Sequence, residues 1–387
     1  MPALDVPQPE FMDEEEIAVF ADAVGKFYEK HAPEKRVLKW REEGQVDRDF
    51  WREAGEAGLL GASVPEEYGG HGGDFRHEMV VIDQQGRHNV EGFAASLHNT
   101  IILPYLVRHG TEEQKKKYLP RLVSGDLVSA IAMTEPGVGS DLQSITTTAL
   151  KDGNGYKING AKTYISNGQI ADFIIVVAKT DPNERAKGIS LMLLETEGAE
   201  GFQRGKKLDK IGLDSQDTSE LFFDDVFVPA ENVLGGEEGK GFYQLMGELP
   251  QERLIIAMGA MSTIERALEE TIAFTKERKA FGKTIWDFQN TQFTLAELKA
   301  RATAAKVFVN HCIAQHLEGK LDVPTACMAK LWLTELQGEV VDKCLQLHGG
   351  SGYINDYPIA RMFRDSRVTR IFGGSNEIMK MVIARSM

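Results

Sequence analysis

The sequence predicts a mainly α chain with a central β domain. Three observations carry this: helical periodicity over 1–127, short β-rich runs with turn signals over 128–237, and stronger helical periodicity over 238–387. The β block is too short for a doubly wound sheet. No G-x-G-x-x-G follows a strand, and "GVGSD" at 137–141 is too short for that fingerprint, which disfavours a Rossmann enzyme.

The elements follow in order. In "DEEEIAVFADAVGKFYEKHA", Ile17, Phe20, Val24 and Phe27 recur at steps of three and four, and acids lead the segment, as suits a helix N-terminus. The Gly-rich "VPEEYGGHGGD" interrupts the helical pattern, which resumes through "HEMVVIDQQGRH" and "TEEQKKKYLPRLV". In the middle block "DGNG" separates "TTTALK" from "YKI", and Asn159-Gly160 is read as a turn before "AKTYIS". "DFIIVVAKT", "GISLMLLET" and "SELFFDDVFVP" are further strands, and their spacing suggests a small barrel or sandwich. In the last block Leu254, Met258, Met261, Ile264, Leu268 and Ile272 form a core stripe. Three further helices follow, and the two long ones end on glycine.

Composition bounds the function. A net charge of −14 over 387 residues argues against nucleic acid and against an anionic membrane surface. No apolar run approaches the roughly 20 residues that span a bilayer. The acidic N-terminus lacks signal- or transit-peptide character, which points to a cytoplasmic bacterial protein, or to the mitochondrial matrix if the chain is a processed one. Cys312, Cys327 and Cys344 lie far apart in apolar helical patterns and read as buried, reduced thiols. The nine histidines show no metal spacing.

Five segments carry the chemistry: "MTEPGVGSD" at 133–141, "YISNG" at 164–168, "ERKAFGK" at 277–283, "QLHGGSGY" at 346–353 and "IFGGSNEI" at 371–378. In this order they resemble the acyl-CoA dehydrogenases over essentially the whole chain. "ELPQERL" and "GGSNEIMK" are most similar to the long-chain branch. The resemblance implies an N-terminal helical domain, a middle β-barrel and a C-terminal four-helix bundle, assembled as a homotetramer. It implies FAD, an acyl-CoA substrate and an electron-transfer flavoprotein as acceptor. Ile131, Met133, Thr134 and Ser140 would border the flavin, with Ser140 also near the CoA arm. Tyr164, Ile165 and Ser166 would line its other side; family members often carry Trp where Tyr164 stands. Arg278 and Gln289 would meet the pyrophosphate of a partner subunit's FAD. Gln346, Leu347, His348, Gly349 and Gly350 would form a close-approach turn for the dinucleotide. Ser375, Asn376 and Glu377 would face the cofactor, and Tyr243 and Arg253 the acyl or CoA moiety.

The implied reaction removes an α-proton while the β-hydrogen leaves as hydride, and a desolvated carboxylate suits the base. Many family members carry that carboxylate in a "Y-E-G" segment, but here Phe372, Gly373 and Gly374 stand there. The position used in the long-chain and isovaleryl branches is Glu252 in "PQERL", read here as the front of the Met-rich helix. Without the resemblance, Glu252 reads as an acid at a helix N-terminus. Gly373 would leave room for Glu252 and offer its N–H to the thioester carbonyl, with Gly374 beside it. Two other readings use the same chain: a flavin oxidase or monooxygenase that uses oxygen, and a non-catalytic acyl-CoA-binding scaffold.

Overall fold

A computed structural model describes residues 3–90 and 92–387. The chain opens with α1 (Glu15–His31), α2 (Glu34–Glu43), α3 (Arg48–Glu56), α4 (Phe75–Arg87) and α5 (Ala95–Leu97). A π turn at His98–Ile102 leads into α6 (Leu103–His109), and α7 (Glu112–Val123) follows. Ile17, Val24 and Phe27 are buried on one face of α1, with Phe20 half-buried against the same core. A reciprocal Thr111–Gln114 capping box opens α7.

The middle region is one curled sheet of β1 (Ser129–Ala132), β2 (Thr148–Asp152), β3 (Gly155–Ser166), β4 (Phe173–Lys179), β5 (Ile189–Glu195), β6 (Phe202–Lys207) and β7 (Thr218–Pro229). β5 pairs with one edge of β4; β1 and then β2 take its other edge, and the path continues through β3, β7 and β6. The expected barrel is thus a half-barrel that ends at β5 and β6. Along β4, Phe173, Ile175 and Val177 pack toward the N-terminal helices. Ile174, Val176 and Ala178 face the inside of the curl. This alternation is the period of two that a strand buried on both faces requires.

The structure departs from the sequence reading at two points here. Asn159-Gly160 is not a turn: β3 runs through it with a register shift between Ile158 and Gly160. A Cβ on Gly160 would collide with Thr147, so the glycine serves a close approach inside a bulge. β6 had no prediction at all, because "FQRGKK" is an exposed, polar edge strand.

The C-terminal region holds α8 (Gly241–Glu277), the short hairpin β8 (Lys279–Ala280) and β9 (Lys283–Thr284), α9 (Gln289–Leu317), α10 (Val323–His348), α11 (Pro358–Asp365) and α12 (Asn376–Arg385). Its core contains the stripe from Leu254 to Leu268 and the buried Cys312 and Cys344. A further correction concerns α8. It starts at Gly241 and continues through Pro250, so Glu252 is not at its head. Proline removes one backbone hydrogen bond there, but the buried face of α8 spans both sides of it, from Leu245 to Leu254 and beyond. Arg41 of α2 pairs with Asp214 and Asp365, and Arg364 with Asp214, which ties the three regions together. No helix among the described residues is long and apolar enough to cross a membrane.

Candidate active site

Glu252 sits about three turns into α8, at 3.6 residues per turn. It is 6% exposed. The Tyr105 hydroxyl, from α6, donates to its Oε1 at 2.9 Å. Among the described residues no cation forms an ion pair with it. Burial raises its pKa from the usual 4.5 to about 7; the Tyr105 bond and the Arg253 charge pull it down, and Glu248 pushes it up. One turn earlier, Glu248 is held by Arg108 and by His109. Gln251 accepts from Arg108 at 2.7 Å and donates to the Thr100 carbonyl at 2.7 Å. The wall around the carboxylate is therefore fixed, while the carboxylate itself lacks a counter-charge.

The Gly373–Gly374 turn faces the same stretch of α8. Both glycines are left-handed, at φ +61° and +87°, and a Cβ on Gly373 would collide with the end of Ile256, one turn on from Glu252. Next to Glu252, Arg253 is 5% exposed; its Nη1 donates to the Cys327 thiol at 3.2 Å and its Nε has no partner. Among the described residues this thiol is the hydrogen-bonded side-chain partner of the Arg253 guanidinium, which leaves donors unused.

A second cluster forms where the 131–140 loop meets the end of β3. Lys162 Nζ donates to the Met133 carbonyl at 3.0 Å and to Glu135 Oε1 at 3.0 Å. The Thr163 N–H donates to the Thr134 carbonyl at 2.9 Å. Tyr164 follows at φ +60° with its ring 68% exposed. Gly137 and Gly139 have open space around them, and Ser140 is exposed. Ile131, Met133 and Val138 pack against the same hydrophobic core that contains Tyr105 and Leu245.

Family models described as acyl-CoA dehydrogenase N-terminal, middle and C-terminal domains match residues 14–126, 130–226 and 239–387. The chain belongs to the acyl-CoA dehydrogenase family. It is 48% identical to the long-chain specific acyl-CoA dehydrogenase of Sus scrofa over 95% of this chain and 86% of that protein. An acyl-CoA dehydrogenase of Geobacillus kaustophilus is similar at 46% identity and a TM-score of 0.93, over 96% of this chain and 98% of that one. A glutaryl-CoA dehydrogenase of Mycobacterium smegmatis in complex with FADH2 is similar at 27% identity and a TM-score of 0.91, over 100% and 97%.

Acyl-CoA dehydrogenases generally bind FAD, and this chain's side chains suit such a group. Tyr164 is an exposed aromatic, Ser140 is exposed, and Thr134 and Ser166 are half-buried. Tyr243 is exposed in the first turn of α8. A separate set lies at the far end of α8. Arg278 caps it, exposed, and Gln289 starts α9. His348, whose ring packs tilted against Phe274 with centroids 4.2 Å apart, is buried with both ring nitrogens unpartnered. Burial pulls its pKa down to about 4. Leu347 is half-buried, and Gln346, Gly349 and Gly350 are exposed. Glu252 and Arg278 are about 39 Å apart along α8 at about 1.5 Å per residue. The structure thus groups the expected residues into a near set and a far set.

Three of the expected residues also have structural roles. Ile165 is 3% exposed and packs inside the curl, because residues on either side of it alternate outward. Asn376 is 2% exposed, and its amide is committed to Lys330, Thr334 and Glu335. Ser375 caps α12 by accepting from the Ile378 N–H, with Glu377 exposed in the first turn. Tyr105, Lys162 and Lys330 were not foreseen; each is distant in sequence from the group it holds.

Proposed function

We propose that the protein catalyses FAD-dependent α,β-dehydrogenation of a saturated acyl-CoA to the trans-2-enoyl-CoA. The observation that carries this reading is Glu252, a buried carboxylate without a counter-ion and with a pKa near 7. FAD, when bound, supplies the acceptor for the β-hydride. Glu252 removes the α-proton. The Gly373 N–H donates to the thioester carbonyl oxygen as negative charge grows there. Arg253 and Tyr243 contact the acyl or CoA moiety; the unused donors of Arg253 support this. Thr134, Ser140, Tyr164 and Ser166 border the flavin ring, and the pocket wall of Tyr105, Arg108 and Gln251 keeps Glu252 in place.

The far set of Arg278, Gln289 and Gln346–Gly350 holds the FAD of a partner subunit in a homotetramer. Its distance from Glu252 along α8 supports a second chain's site. Electrons pass to an electron-transfer flavoprotein. The identity to a long-chain specific relative supports a long acyl chain. The test is Glu252→Gln in the FAD-loaded enzyme: FAD stays bound and anaerobic flavin bleaching by a ladder of saturated acyl-CoAs falls by roughly a thousandfold, on the scale of a lost general base. Near-normal bleaching by that variant refutes the assignment.

A further inference from the structure

Lys330, on α10, is wholly buried. Its ammonium donates to the Gly374 carbonyl at 2.8 Å and to Asn376 Oδ1 at 2.8 Å. Asn376 Nδ2 in turn donates to Thr334 Oγ1 at 3.0 Å and to Glu335 Oε1 at 2.7 Å. Both of these partners lie on α10, so one helix grips the glycine turn and the start of α12 together. Among the described residues no carboxylate lies within ion-pair distance of Lys330; burial lowers its pKa to about 8, and Glu335 and Glu377 offset this only from further away.

A buried ammonium without a carboxylate is costly. A neutral side chain could fill the same space at less cost. The lysine is useful here because two consecutive left-handed glycines have no side chains with which to fix themselves. We infer that Lys330 is a positioning residue for the reaction: through Gly374 and Asn376 it fixes the Gly373–Gly374 turn so that the Gly373 N–H meets the substrate carbonyl. The inference rests on the dehydrogenation reading above.

The test compares Lys330→Met and Lys330→Gln in the FAD-loaded enzyme. The probe is a 3-thia-acyl-CoA, which can lose its α-proton but carries no hydrogen on the sulfur that replaces the β-carbon. Lys330→Met lowers kcat roughly tenfold to a hundredfold, the worth of a charge-assisted hydrogen bond. Affinity for the 3-thia thioester falls in step, while FAD content, KM and affinity for free CoA stay near wild type. Lys330→Gln, which keeps one donor, recovers part of both. Merely structural damage would lower FAD content and CoA affinity together with kcat. A folded variant of either kind with wild-type kcat and analogue affinity overturns the inference; if Lys330→Met does not fold, Lys330→Gln decides it. An inactive Glu252→Gln beside a fully active Lys330→Met sinks the role of the lysine alone, whereas a fully active Glu252→Gln sinks the reading of the site beneath it.

Discussion

Two buried glutamates in this chain share a side chain and a depth but not a charge environment. Glu135, at 3% exposed, accepts from Lys162, from both the N–H and the hydroxyl of Thr146, and from the Thr147 N–H. Burial alone would raise its pKa, but the Lys162 charge and those donors outweigh it and hold it well below the usual range. Glu252, at 6%, has one phenol, and burial wins. The comparison teaches that burial does not make a base. Withholding the partner does. Glu135 locks the 131–140 loop to β3; Glu252 is left able to take a proton.

The largest effect that tests this contrast is on stability. Glu135→Gln leaves Lys162 buried beside an amide and costs about 3–5 kcal/mol, as for other broken buried pairs. It is read from the denaturant midpoint of the holoenzyme. Glu135→Gln/Lys162→Met recovers part of that loss, since it removes the stranded charge as well. Equal losses for the single and double variants would mean that the pair is not coupled.

The two carboxylates also have opposite pH signs. Glu135 binds its proton less tightly when folded, so its stability is present above the unfolded value near 4.5 and is lost as pH falls below it. Glu252 binds its proton more tightly when folded. Its penalty is absent below 4.5, grows as pH rises toward 7 and is then constant, at about 3 kcal/mol. Between pH 4.5 and 8, wild type should therefore lose about that much stability relative to Glu252→Gln. Parallel curves for the two proteins would show that Glu252 is not desolvated.

Much of this was legible in the sequence because it is local. Periodicity gave the helical faces and "DGNG" gave the β2–β3 hairpin, whereas "PQERL" pointed to the proposed base only through the family resemblance. What failed was set by tertiary contact. Pro250 looked like a helix start because local propensity does not register the packing that carries α8 through it. Gly160 looked like a turn because Thr147, the neighbour that demands a glycine, approaches only once the sheet has formed. Tyr105 lies 147 positions from Glu252, and Lys330 lies 44 from Gly374. No spacing rule connects groups at such separations. Ile165 shares the inner core with Ile158 although they stand an odd number of positions apart, because two register shifts in β3 intervene, and simple alternation does not foresee those.

The smallest effects concern the single partner that Glu252 keeps. Proton removal needs the ionised form, so kcat/KM should rise with pH and level off above a midpoint near 7, falling about tenfold per unit below it. The Tyr105 hydroxyl stabilises the charged form and so holds this midpoint down. In Tyr105→Phe the ring still fills its place, but the carboxylate loses its donor. A hydrogen bond to a charged group contributes about 1.5 kcal/mol at the low end, so the midpoint should move up by about one unit. At pH 9 the variant should then approach wild type, while at pH 6.5 it should trail it several-fold. That crossover separates tuning from orientation. If the phenol mainly aims the carboxylate, Tyr105→Phe is slow at every pH with an unmoved midpoint. If the midpoint moves and the plateau returns, the one hydrogen bond left to Glu252 sets its proton affinity.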